Sequence, residues 1–367
     1  PAKAKELQLV DHLYHRTEFV NTIRKTYGAD VKFDDSYHLP NLHGPEISGF
    51  FDLMKVLLNS GQNRNSKQPY IAVVPLEGVI TDQSIVAARR EILRASRNKN
   101  CHALVLRVNS PGGSALASDV LWEATKQFKN TKRPFVVSMG SVAASGGYYV
   151  SALADQIYAE SGTITGSIGV VGMKLVMGGA LEKMGINVHT NQRGQHADIM
   201  NSNRPYTAEE TALVRQSMLE VYTNFKQRIS DGRGARLKGD LEKLAGGRVY
   251  SGEEALKVGL VDKLGGLAAA IDHAVALSGA GDAKIKLLPQ PKGPFEGLFA
   301  LPEKDEHEFI QADSPEATFI LKNHLIADDL LKLLGPNKTR QFEYFFQKIE
   351  SVHSQGIQLL APQFDIH

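Results

Sequence analysis

The stretch SVAASGGYYV, Ser141 to Val150, surrounds one hydroxyl with alanine and glycine and sets two tyrosines behind it. Small neighbours leave a nucleophile an uncrowded approach. A helix opening at Ser145 would also aim unpaired backbone N–H groups at whatever that hydroxyl attacks. The plain alternative is packing with an N-cap, because Gly and Ala let two backbones come close and Ser commonly precedes a helix. A second stretch, RVNSPGGSALASD (107–119), offers related chemistry. Pro111 fixes one φ angle, while Gly112 and Gly113 can take conformations closed to other residues. N–H groups left unpaired at such a turn suit an oxyanion or a phosphate. Its plain alternative is a tight turn with Ser114 as N-cap.

Both stretches need a frame. YIAVVPLEGVI (70–80), CHALVLRV (101–108) and PFVVSM (134–139) are short Val/Ile-rich runs, as expected for buried strands. Between them DQSIVAARREILRAS (82–96) and SALASDVLWEATKQF (114–128) carry helical spacing, with Trp122 read as core. Strands alternating with helices predict an α/β layer with largely parallel pairing. Both glycine turns then leave successive strands at one sheet edge, where ligand sites of α/β folds form. The Ser145 turn has the form of a nucleophile elbow, with Ala143 where that pattern has Gly. Thr207 and Glu210 form a capping box for a helix that places Met218, Val221, Tyr222, Phe225 and Ile229 on one face.

Composition excludes several classes. The chain of 367 residues is 42% hydrophobic and 22% charged, ordinary for a globular protein with ample core. A net charge of +2 without a basic cluster gives no footprint for nucleic acid. Cys101, the only cysteine, excludes an internal disulfide and reads as a buried thiol. The His residues are scattered and no H-E-x-x-H occurs, so no metal site is expected, and no cofactor is expected either. GSIGVVG (166–172) leads into no phosphate-loop G-K-[ST]. No uninterrupted apolar run is long enough to span a bilayer. The start at Pro1 reads as a processed or trimmed terminus, with any anchor expected upstream.

One internal match stands out. AKELQLVDHL (4–13) and ALKVGLVDKL (255–264) align without gaps at an offset of 251, sharing Ala4, Leu9, Val10, Asp11 and Leu13. The economical reading is a duplication of which residues 1–28 keep only the end of the first copy. Residues 29–69 then form a linker, with NSGQNRNSKQP (59–69) its clearest part. Residues 70–290 are the core. Residues 291–367 are a C-terminal helical extension carrying HLIADDLLKLLG and TRQFEYFFQKIESV.

VLRVNSPGGSALASD, VVSMGSVAASGGYYVSALAD, SGTITGSIGVVG and GRVYSGEEALKVGLVDKLGG, taken together and in this order, resemble the signal peptide peptidase A family of serine proteases. The resemblance spans about residues 70–290 and implies a Clp-protease/crotonase-like superhelical β-β-α core. It implies Ser145 as nucleophile, the amides of Gly113 and Gly146 as oxyanion hole, and Gly112 as shaper of the turn. Thr165, Gly166, Ser167 and Ile168 would line the substrate groove; their plain alternative is a Gly-rich inter-strand loop. The resemblance also implies signal peptides and other hydrophobic peptides as substrates, and homo-oligomeric, dome-like assembly. It places the protein at a bacterial inner membrane, with the site facing the periplasm or cell exterior.

The family is similar in using a Ser–Lys dyad. A lysine accepts the serine proton only when neutral, so its pKa must fall from about 10.4 to about 7–8. Burial achieves this at a cost of about 4 kcal/mol for three units. Short family members carry that lysine just before an Asp-Ile-Met-like segment. In RGQHADIMNSNRP that position is Ala197, 52 residues past Ser145. The first explanation is that an upstream half, similar to the first copy of the family's long form, supplies the lysine; the internal repeat favours it. Others are a Lys→Ala change, a substitute base, for which His196 is the candidate against the plain alternative of an exposed loop His while Lys174 and Lys183 read as surface residues, and a silent peptide-binding or scaffold subunit. An acyl-CoA hydratase or isomerase of the crotonase fold, which also holds an oxyanion on two amides, is a further alternative.

Overall fold

The Val/Ile runs become neighbouring strands of one parallel sheet. The computed structural model describes residues 1–28, 31, 33, 68–289 and 358–360. The chain divides into two units, Pro1–Lys67 with Lys292–Leu330, and Gln68–Pro291 with Leu331–His367. The first contains α1 (Ala2–Glu6) and α2 (Arg16–Tyr27). The second begins β1 (Tyr70–Glu77), α3 (Ile85–Arg97), β2 (Cys101–Ser110), β3 (Gly112–Ser114), α4 (Ala115–Asn130), β4 (Phe135–Ala144) and α5 (Gly146–Ser151). It continues with β5 (Gln156–Ala159), β6 (Ile164–Gly166), α6 (Gly178–Lys183), α7 (Ala208–Arg233), α8 (Leu241–Leu244), β7 (Val249–Tyr250) and α9 (Gly252–Val258). It closes with β8 (Lys263–Leu264), α10 (Leu267–Ser278), β9 (Lys284–Leu287) and β10 (Gln358–Leu360).

The main sheet runs β7-β6-β4-β2-β1-β9, with β5 pairing both β4 and β8. Only the β6–β7 pair in it is antiparallel. Parallel strands are covered on both faces, which explains their continuous apolar runs. Ala72, Val74, Leu104, Leu106 and Val137 pack towards α3, α4 and α5, with Trp122, Phe128 and Cys101 buried there. Ile71, Val73, Ala103, Val105 and Val136 pack against Ala270 and Ala274 of α10. The result is an α/β fold, as the alternation predicts.

β4 changes partner along its length. Val136, Val137 and Ser138 pair with β5, whereas Val142, Ala143 and Ala144 pair with β6. At the change, a Cβ on Gly140 would fall 2.8 Å from Asn109 Oδ1, and Val142 N donates to that oxygen at 3.3 Å. Asn109 therefore takes a place in the ladder where the register of β2 and β4 shifts. The capping box of α7 forms as expected, and Phe225 and Ile229 are fully buried with Val221 and Tyr222 packed beside them.

The repeat seen in the sequence recurs in the backbone at the same offset. α2 (16–27) and α10 (267–278) coincide residue for residue. Gln8 (φ 56°) and Gly259 (φ 81°) both turn left-handed, and Leu9 N donates to Ala4 O at 2.9 Å as Leu260 N donates to Ala255 O at 2.8 Å.

The linker, up to Lys67 and apart from residues 31 and 33, and both helical candidates of the extension lie outside the described residues. Within 291–367 the described element is a strand, not a helix. β10 pairs antiparallel with β3, where the edge of a three-residue strand offers its backbone groups a partner.

Candidate active site

Ser145 stands between the end of β4 and the first residue of α5, at φ 53° and ψ −115°. That region is sparsely populated for a side chain with a Cβ and is held only where surroundings over-determine it. Here Ser145 N donates to Gly166 O at 2.9 Å, and Tyr149 N donates to Ser145 O at 2.8 Å. The sharp strand-to-helix turn thus forms without a glycine two residues earlier. Ala143 sits in the ladder instead, its carbonyl accepting from Thr165 Oγ1 at 2.7 Å.

The glycines after Ser145 explain the small-residue composition. A Cβ on Gly146 would meet Ser118 Oγ at 2.5 Å and Gly112 Cα at 3.2 Å. One on Gly147 would meet Ser110 O at 2.7 Å. Close approach is therefore required here, since only glycine lets the Ser145 turn touch the Pro-Gly-Gly turn. Gly112 takes φ 101°, and its N–H donates to Ser110 Oγ at 3.1 Å. Ser114 does cap α4, accepting from Ala117 N at 3.2 Å, as the plain alternative for this turn expects. Gly146 opens α5, so its N–H has no helical acceptor.

The two tyrosines behind Ser145 anchor its helix to different parts of the fold. Buried Tyr148 donates to Leu260 O at 2.8 Å. Tyr149 donates to Asp119 Oδ1 at 2.6 Å, and Arg228 approaches the same carboxylate at 3.3 Å while stacking on Trp122. Burial pushes both phenols well above their ordinary range, so they act as neutral donors. In the sequence these two tyrosines stand out only by their position three and four residues into the helix, which gives no sign of their anchoring work.

The Ser145 hydroxyl itself is buried and has no hydrogen-bond partner among the described residues. An orphaned buried hydroxyl costs about 1–3 kcal/mol, so it calls for a reason. Thr165 and Gly166 are paired on both sides, by β4 and by β7, and wall the site rather than offer a strand edge. Ser167 turns left-handed at φ 48° and donates to Arg248 O at 2.7 Å, while Ile168 O accepts from Gly247 N at 2.9 Å.

Ala197 is exposed in a turn, its N–H directed at Gly194 O at 3.4 Å. None of the substitute bases is bonded to Ser145. His196 faces Glu209 at 3.4 Å. Lys174 donates to Ile199 O at 2.8 Å and lies over the Tyr206 ring, and desolvation followed by repulsion from Arg204 lowers its pKa. Lys183 ends α6 and is exposed. No group of His, Cys, Asp and Glu among the described residues could hold a metal ion.

Residues 127–280 match the model of peptidase family S49. A putative protease of Synechocystis is 32% identical over 227 residues, which cover 61% of this chain and 80% of that protein. The chain belongs to peptidase family S49. Among other S49-type relatives, the chloroplastic serine protease SPPA of Arabidopsis thaliana is 32% identical over 280 residues, 73% of this chain and 40% of its own length. Protease 4 of Haemophilus influenzae is 36% identical over 214 residues, 56% of this chain and 34% of its own length. The chain thus spans well under half of these two longer members of the family.

Proposed function

We propose that this chain is the serine-bearing part of an endopeptidase that acylates Ser145. The observation that carries the reading is the strained Ser145 turn, with an unpartnered buried hydroxyl, packed against the Pro-Gly-Gly turn. The Gly113 and Gly146 amides receive the oxyanion of the tetrahedral intermediate, and Gly112 sets the turn. Thr165, Gly166, Ser167 and Ile168 form the wall beside the nucleophile and hold its backbone through Gly166. The two-part strand β4 and the strand–short strand–helix order of β2, β3 and α4 support a Clp/crotonase-like superhelical arrangement.

The proton acceptor is a lysine from a second unit, completing a Ser–Lys dyad. Position 197 carries a methyl group, Ser145 Oγ has no resident base, and residues 4–28 repeat the closing elements of the core. Large apolar side chains exposed between Val171 and Val188, among them Val171, Met173, Met184 and Ile186, suit a covering subunit or unit. Substrates are signal peptides and other hydrophobic peptides, and the working enzyme is a membrane-associated homo-oligomer; the family resemblance supports both. No helix among the described residues is long and apolar enough to cross a membrane.

The test is labelling by a fluorophosphonate together with turnover of a hydrophobic peptide. Turnover is expected only when the chain is joined to an upstream unit carrying the lysine, and Ser145→Ala is expected to lower it by at least about a thousandfold. Turnover that survives Ser145→Ala would sink the reading. Labelling also separates this reading from the hydratase, which needs no nucleophilic serine. A silent peptide-binding subunit is the second reading, favoured by Ala197, and would bind peptide without turnover even when joined to such a unit.

A further inference from the structure

Both amides of the proposed oxyanion hole sit where a helix begins. Gly113 belongs to β3, which runs straight into α4, and Gly146 is the first residue of α5. The gap between them is therefore set by how α4 and α5 lie against each other. At the turns themselves Gly146 offers no side chain to hold, and Ser118 Oγ beside it is engaged within α4, donating to Ser114 O at 2.8 Å. A tie lies one turn further in. Tyr149, the fourth residue of α5, donates at 2.6 Å to Oδ1 of Asp119, the fifth residue of α4. Arg228 of α7 holds the same carboxylate oxygen at 3.3 Å, its guanidinium 3.8 Å from the centre of the Trp122 ring. Phe225 of α7 packs on Tyr149, the ring centres 4.9 Å apart. A helix of six residues is far below the length that is stable alone, so α5 takes its place from such ties.

We propose that Asp119 is a positioning residue for the oxyanion hole: by receiving the Tyr149 hydroxyl it locks α5 to α4 and fixes the gap between the Gly113 and Gly146 amides. In this role Asp119 need touch no reacting atom. It acts through Tyr149, and Arg228 orients its carboxylate. A phenol on a carboxylate makes a charge-assisted bond, shorter and roughly twice as strong as a neutral one, so it defines a distance as well as a contact. The oxyanion forms only in the tetrahedral intermediate. A widened gap therefore weakens binding of the transition state and leaves ground-state binding of the peptide alone. A displacement of about 1 Å at such a site costs up to about a hundredfold in rate. The effect on turnover rests on the nucleophile reading above, whereas the tie between Tyr149 and Asp119 does not.

The test uses the full chain joined to a lysine-carrying upstream unit and compares Asp119→Ala, Asp119→Asn, Tyr149→Phe and the double variant of Asp119→Ala with Tyr149→Phe. Asp119→Ala and Tyr149→Phe are each expected to lower kcat about tenfold to a hundredfold, with KM changed by no more than about twofold. Asn keeps an acceptor oxygen, so Asp119→Asn is expected to recover to within about threefold of the unaltered enzyme. The double variant is expected to be no slower than the slower single one, because both remove the same bond. In the chain alone, exchange of the Gly146 amide is expected to quicken about tenfold in Asp119→Ala and in Tyr149→Phe. Tyr149→Phe removes one oxygen and leaves the Asp119–Arg228 pair, so it stays readable if Asp119→Ala unfolds. Unchanged Gly146 exchange in Tyr149→Phe, or losses that add up in the double variant, overturns the tie. A rise in KM with kcat intact overturns its role at the oxyanion. Turnover that is absent, or untouched by Ser145→Ala, removes the nucleophile reading instead, and Gly146 exchange then decides on the tie by itself.

Discussion

Residues 2–28 and 253–279 share a backbone and differ in what they touch. Each is a short helix, a left-handed residue, a connection and a twelve-residue helix, aligned at an offset of 251, and only in the later copy does the connection contain a strand, β8. In the later copy Leu260 and Ala270 are fully buried and Val261 is 1% exposed; the equivalent Leu9, Phe19 and Val10 are 73%, 50% and 41% exposed. Similar local sequence gives similar local conformation, while among the described residues the later copy alone packs these positions on a sheet. An apolar face left largely exposed among the described residues is what the end of a split repeat would look like. The difference fits the proposed second unit as a partner of the first copy.

The largest way to break the comparison is at its shared aspartate. Asp262 accepts both Arg233 Nη1 and Nη2 at 2.8 Å, and its Oδ2 also accepts Ile157 N at 2.7 Å. Arg233 is completely buried and donates further to Gly259 O at 2.8 Å. Removing one member of such a pair leaves an uncompensated charge, so Asp262→Ala is expected to cost about 3–5 kcal/mol in urea unfolding. Asp11, at the matching place, is exposed, and Asp11→Ala should stay within about 0.5 kcal/mol. Equal costs would show that the two copies are stabilised alike and that burial is not the difference between them.

The same contrast marks what a single sequence can disclose. Strand runs, helix spacing, the Thr207–Glu210 box and the repeat were legible because each is written in residues a few positions apart. Both glycine turns were legible for the same reason. The left-handed Ser145 was not, because no glycine announces it and its hold comes from Gly166 across the sheet. Nor was the work of Tyr148, whose acceptor on Leu260 lies 112 residues away. The strand at 358–360 was hidden because its pairing depends on an edge exposed by Ile80, not on its own composition.

A second, comparable break lies in the apolar face. Leu260 sits in the main core, so Leu260→Ala is expected to cost about 2–5 kcal/mol from lost burial and the cavity left behind. Leu9→Ala in the isolated chain should change stability by no more than about 0.5 kcal/mol. The comparison sharpens when an upstream unit is supplied in trans. If that unit covers the first copy as the sheet covers the second, Leu9→Ala must then weaken its binding, read by titration calorimetry. An affinity unchanged by Leu9→Ala would place the partner elsewhere and leave the first copy's face unexplained.

The smallest effect tests how far local sequence alone shapes both copies. Gly259 occupies the left-handed region at φ 81°, and a Cβ there would run into the carbonyl of Arg236. Gly259→Ala is therefore expected to cost more than the roughly 1–2 kcal/mol of backbone strain alone, because the backbone carbonyl of Arg236 must also give way. Gln8 accepts the same conformation at φ 56° with a side chain attached, in a stretch where Leu9 N still closes on Ala4 O. Gln8→Gly removes that strain but adds freedom to the unfolded chain, so the net gain is about 0.5 kcal/mol at most. The readout is the Leu9 amide, which should exchange about twofold more slowly. Faster exchange would mean that Gln8 is favoured by some contact of its own, and the turn in the first copy would no longer count as the bare local echo of the second.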